Sequence, residues 1–598
     1  MGIPERLCKL RAKMQEKGID MYYIPTNDFH GSEYVSDYFK TREFISGFDG
    51  SAGNVVVTQD KAGLWTDGRY FLQAERQLDG TGFTLYRSGQ EGVPNVSQYI
   101  AANLPKDGVL GMDGGMVSEA WADGMRRLIA GKKGKLVLSE DLVGQIWTDR
   151  PPLKHEKAWL LDVKYAGESR EERLKRLRKE MKKRKAAYLI LTSLDDIAWL
   201  LNIRGNDIPC NPVVLSYLIV EETCCRFFAG QDIFSEKDQK ELSKAGVVFY
   251  PYEEIYAYVQ NLSANERVLV DKRTVNAVIV ENLPKNIKIV DCISPIVGWK
   301  AVKNKTEVEN EKEAHIRDGV AVTKFIHWLK HNVSVMPLTE ISAAAKLEEF
   351  RKQQADYLGP SFDPIAGYAE HGAIVHYSAT EETDISLHPD NFLLLDTGGQ
   401  YLQGTTDITR TILLGDKATE EQKKYYTAVL RGNLNLAAAK FIYGCSGVAL
   451  DYAARQPLWE MGCDFNHGTG HGVGYLLNVH EAPNAFRYKI LRGPGQNAVL
   501  EEGMITSDEP GIYLEGKFGI RLENLILCVK REKNEYGQFM GFEPLTLVPF
   551  DRDAIDIEQM SVKERELLNA YHEKVLEVIG PHLDRQEQEW LSDACAPI

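Results

Sequence analysis

Four acidic residues in the last third of the chain stand at separations that few backbone arrangements can reconcile: Asp396 and Asp407, then Glu509 and Glu523. They occur in Leu-Leu-Leu-Asp396-Thr-Gly-Gly, Gly-Thr-Thr-Asp407-Ile-Thr-Arg, Ser-Asp-Glu509-Pro-Gly and Ile-Arg-Leu-Glu523-Asn. Opposed residues of an antiparallel hairpin share a constant sum of residue numbers, so Asp396 faces Asp407 if the chain turns between Tyr401 and Leu402. Glycines at 398, 399 and 404 suit that turn. The same rule sets Glu509 against Glu523 about Gly516, inside Leu-Glu-Gly-Lys-Phe-Gly. Between the two hairpins lie three histidines, in His467-Gly-Thr-Gly-His471-Gly-Val-Gly and His480-Glu.

Four ionised carboxylates in one pocket repel one another, and a fold holds them together only by protonating some or by binding cations. Two divalent ions would cancel all four charges. Taken singly, each acid has an ordinary reading: an Asp ending an apolar strand is a turn or cap residue, and a Glu after Arg-Leu is a surface ion-pair partner. The order Asp, Asp, His, Glu, Glu, with both acid pairs at hairpin separations, is what points to metal. One imidazole in an oxygen-rich shell suits Mn²⁺, Co²⁺ or Zn²⁺ better than Mg²⁺ or Ca²⁺. Spacing alone does not choose between His467 and His471. Arg521 lies two residues before Glu523, so strand alternation puts both side chains on one face and makes Arg521 a candidate brace for the acids. The glycines at 468, 470, 472 and 474 are expected to let the backbone approach a ligand closely.

This constellation resembles the dinuclear site of the pita-bread metallopeptidases, the family of methionine aminopeptidase, prolidase and aminopeptidase P. The resemblance implies two divalent metal ions, Mn²⁺ first with Co²⁺ or Zn²⁺ as alternatives, held by Asp396, Asp407, His471, Glu509 and Glu523. It gives Glu509 a second role, carrying a proton from a metal-bridging hydroxide or water to the leaving nitrogen. His376, in His371-Gly-Ala-Ile-Val-His376-Tyr-Ser, and His480 are implied donors to the substrate carbonyl and the tetrahedral oxyanion, the kind of preorganised stabilisation that lowers such barriers. His467 is implied to line the substrate pocket. Arg69, in Trp65-Thr-Asp-Gly-Arg69-Tyr-Phe, resembles the N-terminal arginine that reaches substrate in this family.

At 598 residues and 43 % hydrophobic content the chain is too long for one core. The opening pattern is a helix from Pro4 to Lys17 stopped by Gly18, then a strand at Met21 to Ile24. It recurs near residue 169: Ser169 with Glu172 makes a capping box, followed by the strand Tyr188-Leu-Ile-Leu191. Two similar α/β domains in tandem are expected, over 1–155 and 156–303, in agreement with the duplicated creatinase-like domains of cytosolic-type aminopeptidase P. A third domain, 304–540, begins with a capping box at Thr306 and Glu309 for a helix to about Lys330. A second helix is expected near Glu340 to Gln354, and another from the Thr419/Gln422 signal. The alternation of helices and acid hairpins fits the internal two-fold that the resemblance implies. The extension 541–598 carries a helix starting at Ser561/Glu564 and stopping before Gly580-Pro581. The fold class is therefore α/β (α+β): two creatinase-like domains, a pita-bread catalytic domain and a C-terminal helical extension.

A net charge of −15 argues against a nucleic-acid binder. The basic run from Arg170 to Lys185, with Leu174, Leu177 and Met181 at helical spacing, reads as an amphipathic helix with a solvated basic face. No apolar run approaches the roughly 18 residues of a membrane helix, the start lacks a secretory signal, and Arg6 disfavours myristoylation. Nine scattered cysteines form neither a zinc spacing nor a disulfide framework, and a cytoplasmic protein is expected. The resemblance implies an aminopeptidase hydrolysing the N-terminal Xaa-Pro bond of peptides, as a homodimer. Prolidase, acting on Xaa-Pro dipeptides with the same metal set, is the rival enzyme, disfavoured by its shorter front. A non-catalytic pita-bread binding protein, or the metal-free creatinase type, is disfavoured because all five ligand positions are kept.

Overall fold

The computed structural model describes residues 1–491 and 497–598. The chain divides into two units, one of residues 1–163 with 168–296 and one of 164–167 with 297–598.

In the first unit the expected repeat is present, and the strand topology makes it plain. One sheet contains β1 (Met21–Pro25), β2 (Asn54–Thr58), β3 (Ala62–Thr66), β4 (Thr84–Arg87), β5 (Val109–Gly111) and β6 (Lys135–Val137), ordered β4-β3-β2-β1-β5-β6. The other contains β7 (Tyr188–Leu191), β8 (Ser216–Val220), β9 (Cys225–Ala229), β10 (Val247–Pro251), β11 (Arg267–Val270) and β12 (Lys288–Asp291), ordered β10-β9-β8-β7-β11-β12. Each sheet also repeats the same sequence of antiparallel and parallel pairings. Central strands such as β1 are buried along their whole length, which is why they read as continuous apolar runs. Helix α1 (Ile3–Glu16) turns Leu7, Leu10 and Met14 inward at i, i+3 and i+7. Helix α2 (Arg170–Lys183) starts at the full Ser169/Glu172 capping box. Its apolar stripe is buried as expected, but its basic face is not wholly solvated. Arg173 is 1 % exposed, donates to Trp199 O and Asn202 Oδ1, and its guanidinium stacks 3.8 Å from the Trp199 ring. The long apolar stem and planar head let arginine pack where lysine would remain in water.

The second unit opens on α3 (Lys305–Asn332), whose cap is Asn304 with Glu307 rather than Thr306 with Glu309. Asparagine ranks above threonine as an N-cap, and of the two overlapping boxes the earlier one forms. The buried face of α3 is partly polar: Glu307, Glu311, His315 and Asp318 recur at helical spacing. Asp318 accepts from the Arg351 guanidinium (2.7 and 3.1 Å) and from Tyr401 Oη (3.0 Å), while Glu311 accepts from Thr405 N (3.3 Å). That stripe grips the tip of the first acid hairpin. Arg351 belongs to α4 (Glu340–Lys352).

The first hairpin is built from β14 (Asn391–Thr397) and β15 (Ile408–Leu414), with β13 (Ile365–Tyr368) on the other edge of β14. Helices α5 (Glu420–Ala437, capped by Thr419/Gln422) and α6 (Gly447–Trp459) follow. After them come strands β16 (Gly470–Gly472), β17 (Glu481–Phe486), β18 (Ile505–Asp508), β19 (Gly511–Leu514), β20 (Phe518–Arg521), β21 (Asn524–Asn534) and β22 (Gly537–Pro544). A short edge strand at Phe441–Ile442 completes a sheet ordered 441–442, β22, β21, β18, β16, β17. The C-terminal helices α7 (Val562–Ile579, Ser561/Glu564 box) and α8 (Arg585–Ala594) close a core that includes Tyr426, Phe550, Leu568 and Leu591.

Candidate metal centre

The two acid hairpins meet in registers that differ in one respect from expectation. In the second, β19 pairs β20 with Gly511 opposite Arg521, and β18 pairs β21 with Asp508 opposite Asn524. Both ladders have the sum expected about Gly516, and Glu509 and Glu523 lie in the gap between them. In the first, β14 pairs β15 with Asp396 opposite Thr409, and the ladder continues as Gln400 opposite Thr405. The turn is therefore centred between Leu402 and Gln403, one residue later than expected, and Asp396 is offset by two from Asp407. A shift of two preserves which face each side chain occupies, so both aspartates still point inward.

Asp407, His471 and Glu523 offer ligand atoms that all lie within 4.8 Å of one another. His471 Nε2 is 3.4 Å from Asp407 Oδ2 and 3.5 Å from Glu509 Oε1. Its Nδ1–H donates to Gly472 O (2.9 Å), which turns Nε2 toward the acids. Ser507 Oγ donates to Glu509 Oε1 (2.9 Å) and accepts from His471 N. Thr409 Oγ1 donates to Glu523 Oε2 (2.8 Å), and Arg521 Nη2 donates to Asp396 Oδ2 (2.5 Å). Asp396 Oδ1 and Glu523 Oε1 are buried with no hydrogen-bond partner among the described residues.

The electrostatics are those of a cluster built for cations. Burial pushes Glu523 far above the ordinary carboxyl range, reinforced by Asp407, Glu509 and Asp396. Burial also raises Asp396, against the pull of Arg521, and lifts Glu509 to about 7, against the pull of His471. Burial alone would lower His471, but the Asp407 hydrogen bond and the Glu509 charge lift it to about 9. The cluster without metal thus retains protons on atoms that a divalent ion would otherwise occupy. Orphaned carboxylate oxygens, an imidazole with its second nitrogen anchored and a mixed O/N donor set fit first-row divalent ions.

His467 is not part of this cluster. Its Nε2 lies 2.8 Å from Tyr513 Oη, which also accepts from Arg521 Nη1 (2.7 Å). Because His467 Nδ1–H donates to Gly468 O, Nε2 takes the Tyr513 proton, and a directed chain runs Arg521 to Tyr513 to His467. His480 stands edge-on to His471, ring centroids 4.2 Å apart. His376 lies in the turn after the 3₁₀ segment Ala369–Ala373, which packs on β20 so closely that a Cβ on Gly519 would overlap Gly372 O at 1.7 Å. Arg69 belongs to the first unit, where it forms a bidentate pair with Asp67 (2.8 Å each) and lies over Tyr70. Two of the glycines around His471 are needed for packing within the chain itself. A Cβ on Gly470 would meet Ser507 O at 1.8 Å and one on Gly472 would meet Glu481 O at 2.3 Å, so the close approach is between strands of the chain itself.

Thr409, Ser507 and Tyr513 were not legible as site residues. Alternation offered a signal for all three: Thr409 shares a face with Asp407, and Ser507 and Tyr513 share one with Glu509.

Paired acids from two hairpins around one imidazole, in a unit of this topology, define a metallopeptidase-type site. The description Metallopeptidase family M24 matches residues 309–530, the Creatinase/Prolidase N-terminal domain matches 6–146 and 149–307, and the C-terminal region of peptidase_M24 matches 538–598. The chain belongs to metallopeptidase family M24. Among full-length relatives, a probable Xaa-Pro aminopeptidase P of Laccaria bicolor is 39 % identical, covering 99 % of this chain and 93 % of its own. Xaa-Pro aminopeptidase 1 of Dictyostelium discoideum is 37 % identical, covering 100 % and 97 %. The X-prolyl aminopeptidase of Caenorhabditis elegans, a cytosolic enzyme with a di-nuclear active site, superposes with a TM-score of 0.95 at 35 % identity, over 100 % of both chains. Xaa-Pro dipeptidase from Bacillus anthracis covers 64 % of this chain at TM-score 0.51 and 24 % identity, a likeness of fold. Among the described residues no helix is long and apolar enough to cross a membrane.

Proposed function

We propose that this protein is a dinuclear metalloaminopeptidase that removes the first residue from peptides with proline second. The observation that carries the reading is the convergence of Asp407, His471 and Glu523 within 4.8 Å, with Glu509 beside His471 and Asp396 linked to Glu523 through Arg521 and Thr409. Full-length likeness to Xaa-Pro aminopeptidases supports the substrate class. Asp396, Asp407, His471, Glu509 and Glu523 hold two divalent ions, Mn²⁺ being the first candidate. When bound, such ions acidify water, polarise a carbonyl and hold a neutral amino terminus.

The chain's own residues do the rest. Glu509, steadied by Ser507, accepts the proton of the attacking water and delivers it to the leaving nitrogen. His480, beside His471, and His376 donate to the carbonyl oxygen as charge builds on it. His467, held by Tyr513, lines the space for the proline ring. An Xaa-Pro bond has a tertiary nitrogen with no N–H, so peptidases that grip that donor handle it badly. A site that holds only the amine and the first carbonyl has no such need. Arg69 is proposed to reach the substrate, and the cytoplasm is the proposed location.

Release of the first residue from Xaa-Pro-Pro, Xaa-Pro and Xaa-Ala-Pro tests the reading, with metal analysis of protein purified without chelator. Cleavage of the tripeptide with proline second, and little action on its N-acetylated form, is expected. Preference for the bare dipeptide would indicate prolidase, and equal cleavage of the alanine peptide would remove the proline specificity.

A further inference from the structure

Two buried lysines converge on one buried glutamate beside the site. Lys303 Nζ donates to Glu481 Oε1 (2.5 Å) and Lys300 Nζ to Glu481 Oε2 (2.9 Å), with the three side chains 1 %, 8 % and 3 % exposed. Lys303 Nζ also donates to Val473 O. Glu481 directly follows His480 and pairs with Gly472, which directly follows His471. One ammonium group therefore ties both ends of the segment 472–481. The backbone of the same lysine is fastened on the other side: Lys303 N donates to Gly503 O (3.0 Å), and Val302 bridges Met504, just before β18, which ends at Asp508, next to Glu509. Burial would push the Glu481 carboxyl up, but the two ammonium groups hold it below its usual range.

Desolvating three charges is costly, and apolar residues of similar volume would fill this space at no loss of stability in many proteins. In some proteins such groups select one geometry over its neighbours. The geometry selected here is that of the two imidazoles, 4.2 Å apart and mutually perpendicular at 87°.

We infer that Glu481, Lys300 and Lys303 are positioning residues for the hydrolysis proposed above, their charges fixing segment 472–481 so that His480 meets the reacting carbonyl. The inference rests on the proposed role of His480, and the test separates the two. The triad is replaced as a unit by apolar residues of similar size, Lys300→Met, Lys303→Met and Glu481→Leu, with and without His480→Ala, and with Glu481→Gln as a second variant. For each protein the melting temperature, bound metal, kcat and KM on an Xaa-Pro-Pro peptide are measured.

The triple replacement is expected to melt near the parent and retain its metal, while kcat falls about 10–100-fold at little change in KM, as for other residues that orient a reacting group. In the His480→Ala background the same replacement is expected to change kcat by less than about twofold, because residues acting through one group are non-additive. Equal fold losses in both backgrounds, or loss of metal together with activity, would overturn the inference and leave the triad as packing. Native kcat in His480→Ala by itself would remove the role of His480 and with it the need for positioning. Should the triple replacement fail to fold, Glu481→Gln carries the same comparison, since it retains volume and removes only the charge.

Discussion

The two acid hairpins supply the same number of carboxylates but brace them differently. Asp396, on the first, receives a charged donor from the second: Arg521 Nε and Nη2 reach its Oδ2 at 3.2 and 2.5 Å. Glu523, on the second, receives a neutral donor from the first, Thr409 Oγ1 at 2.8 Å, together with a backbone bond from its own N–H to Thr409 O at 3.0 Å. Thr411 adds a reciprocal pair, donating to Arg521 O and accepting from Arg521 N. Each hairpin thus holds the other's acid. The difference teaches that the cluster is not symmetric in charge: one acid has a cation of its own, and the other three share a single imidazole. Metal is therefore expected to matter most where the protein supplies least.

The hardest break in this comparison is removal of a carboxylate that has no guanidinium. Asp407→Asn and Glu523→Gln are expected to lose bound metal and to lower activity about 10³-fold or more, a scale consistent with lost transition-state electrostatics. Far-UV circular dichroism should be unchanged, because each amide keeps the shape and volume of the acid it replaces. Full activity in either would dismantle the site.

Next in size is the pair of braces. Arg521→Met strands Asp396 without its cation, and losing one partner of a buried ion pair costs about 3–5 kcal/mol. Metal affinity is expected to fall about 10–100-fold as well. Thr409→Val removes one hydrogen bond from a buried carboxylate, at about 1–3 kcal/mol. Denaturant melts and metal titrations of the two variants should rank Arg521→Met above Thr409→Val on both measures. The reverse ranking would mean that the guanidinium serves only packing.

The mildest perturbation changes no atom. Glu509 is raised from its ordinary value to about 7 and His471 to about 9, and Asp396 and Glu523 are also raised, so the folded metal-free protein binds more protons than the unfolded chain. The sign follows: stability from these groups is greatest below pH 4.5, falls as Glu509 deprotonates toward about 7, and falls again between 6.5 and about 9 as His471 does. Metal binding releases those protons, so the stabilisation it confers should grow with pH over the same window. Melts with and without Mn²⁺ across pH 5 to 9 measure the difference. A metal-induced stabilisation that shrinks as pH rises would contradict this electrostatic account.

The amino-acid sequence by itself determined whatever depends on partners a few residues apart. The Ser169/Glu172, Thr419/Gln422 and Ser561/Glu564 boxes close within one helical turn, and each starts a helix where read. The tight Glu509–Glu523 hairpin held its expected register, because one turn and two short strands settle it locally. Strand order in the first unit repeats because the same succession of local elements has few ways to form a sheet. What needed the tertiary structure were contacts across long loops. The grip of α3 on Thr405 and Tyr401 accompanies a first hairpin set two residues away from its expected pairing, and that grip spans more than 80 residues. Arg521 found Asp396 across 125 residues, and Lys303 found Glu481 across 178. Buried charges accept a partner from anywhere in the chain that reaches them with the right geometry, and no local pattern encodes which one that is.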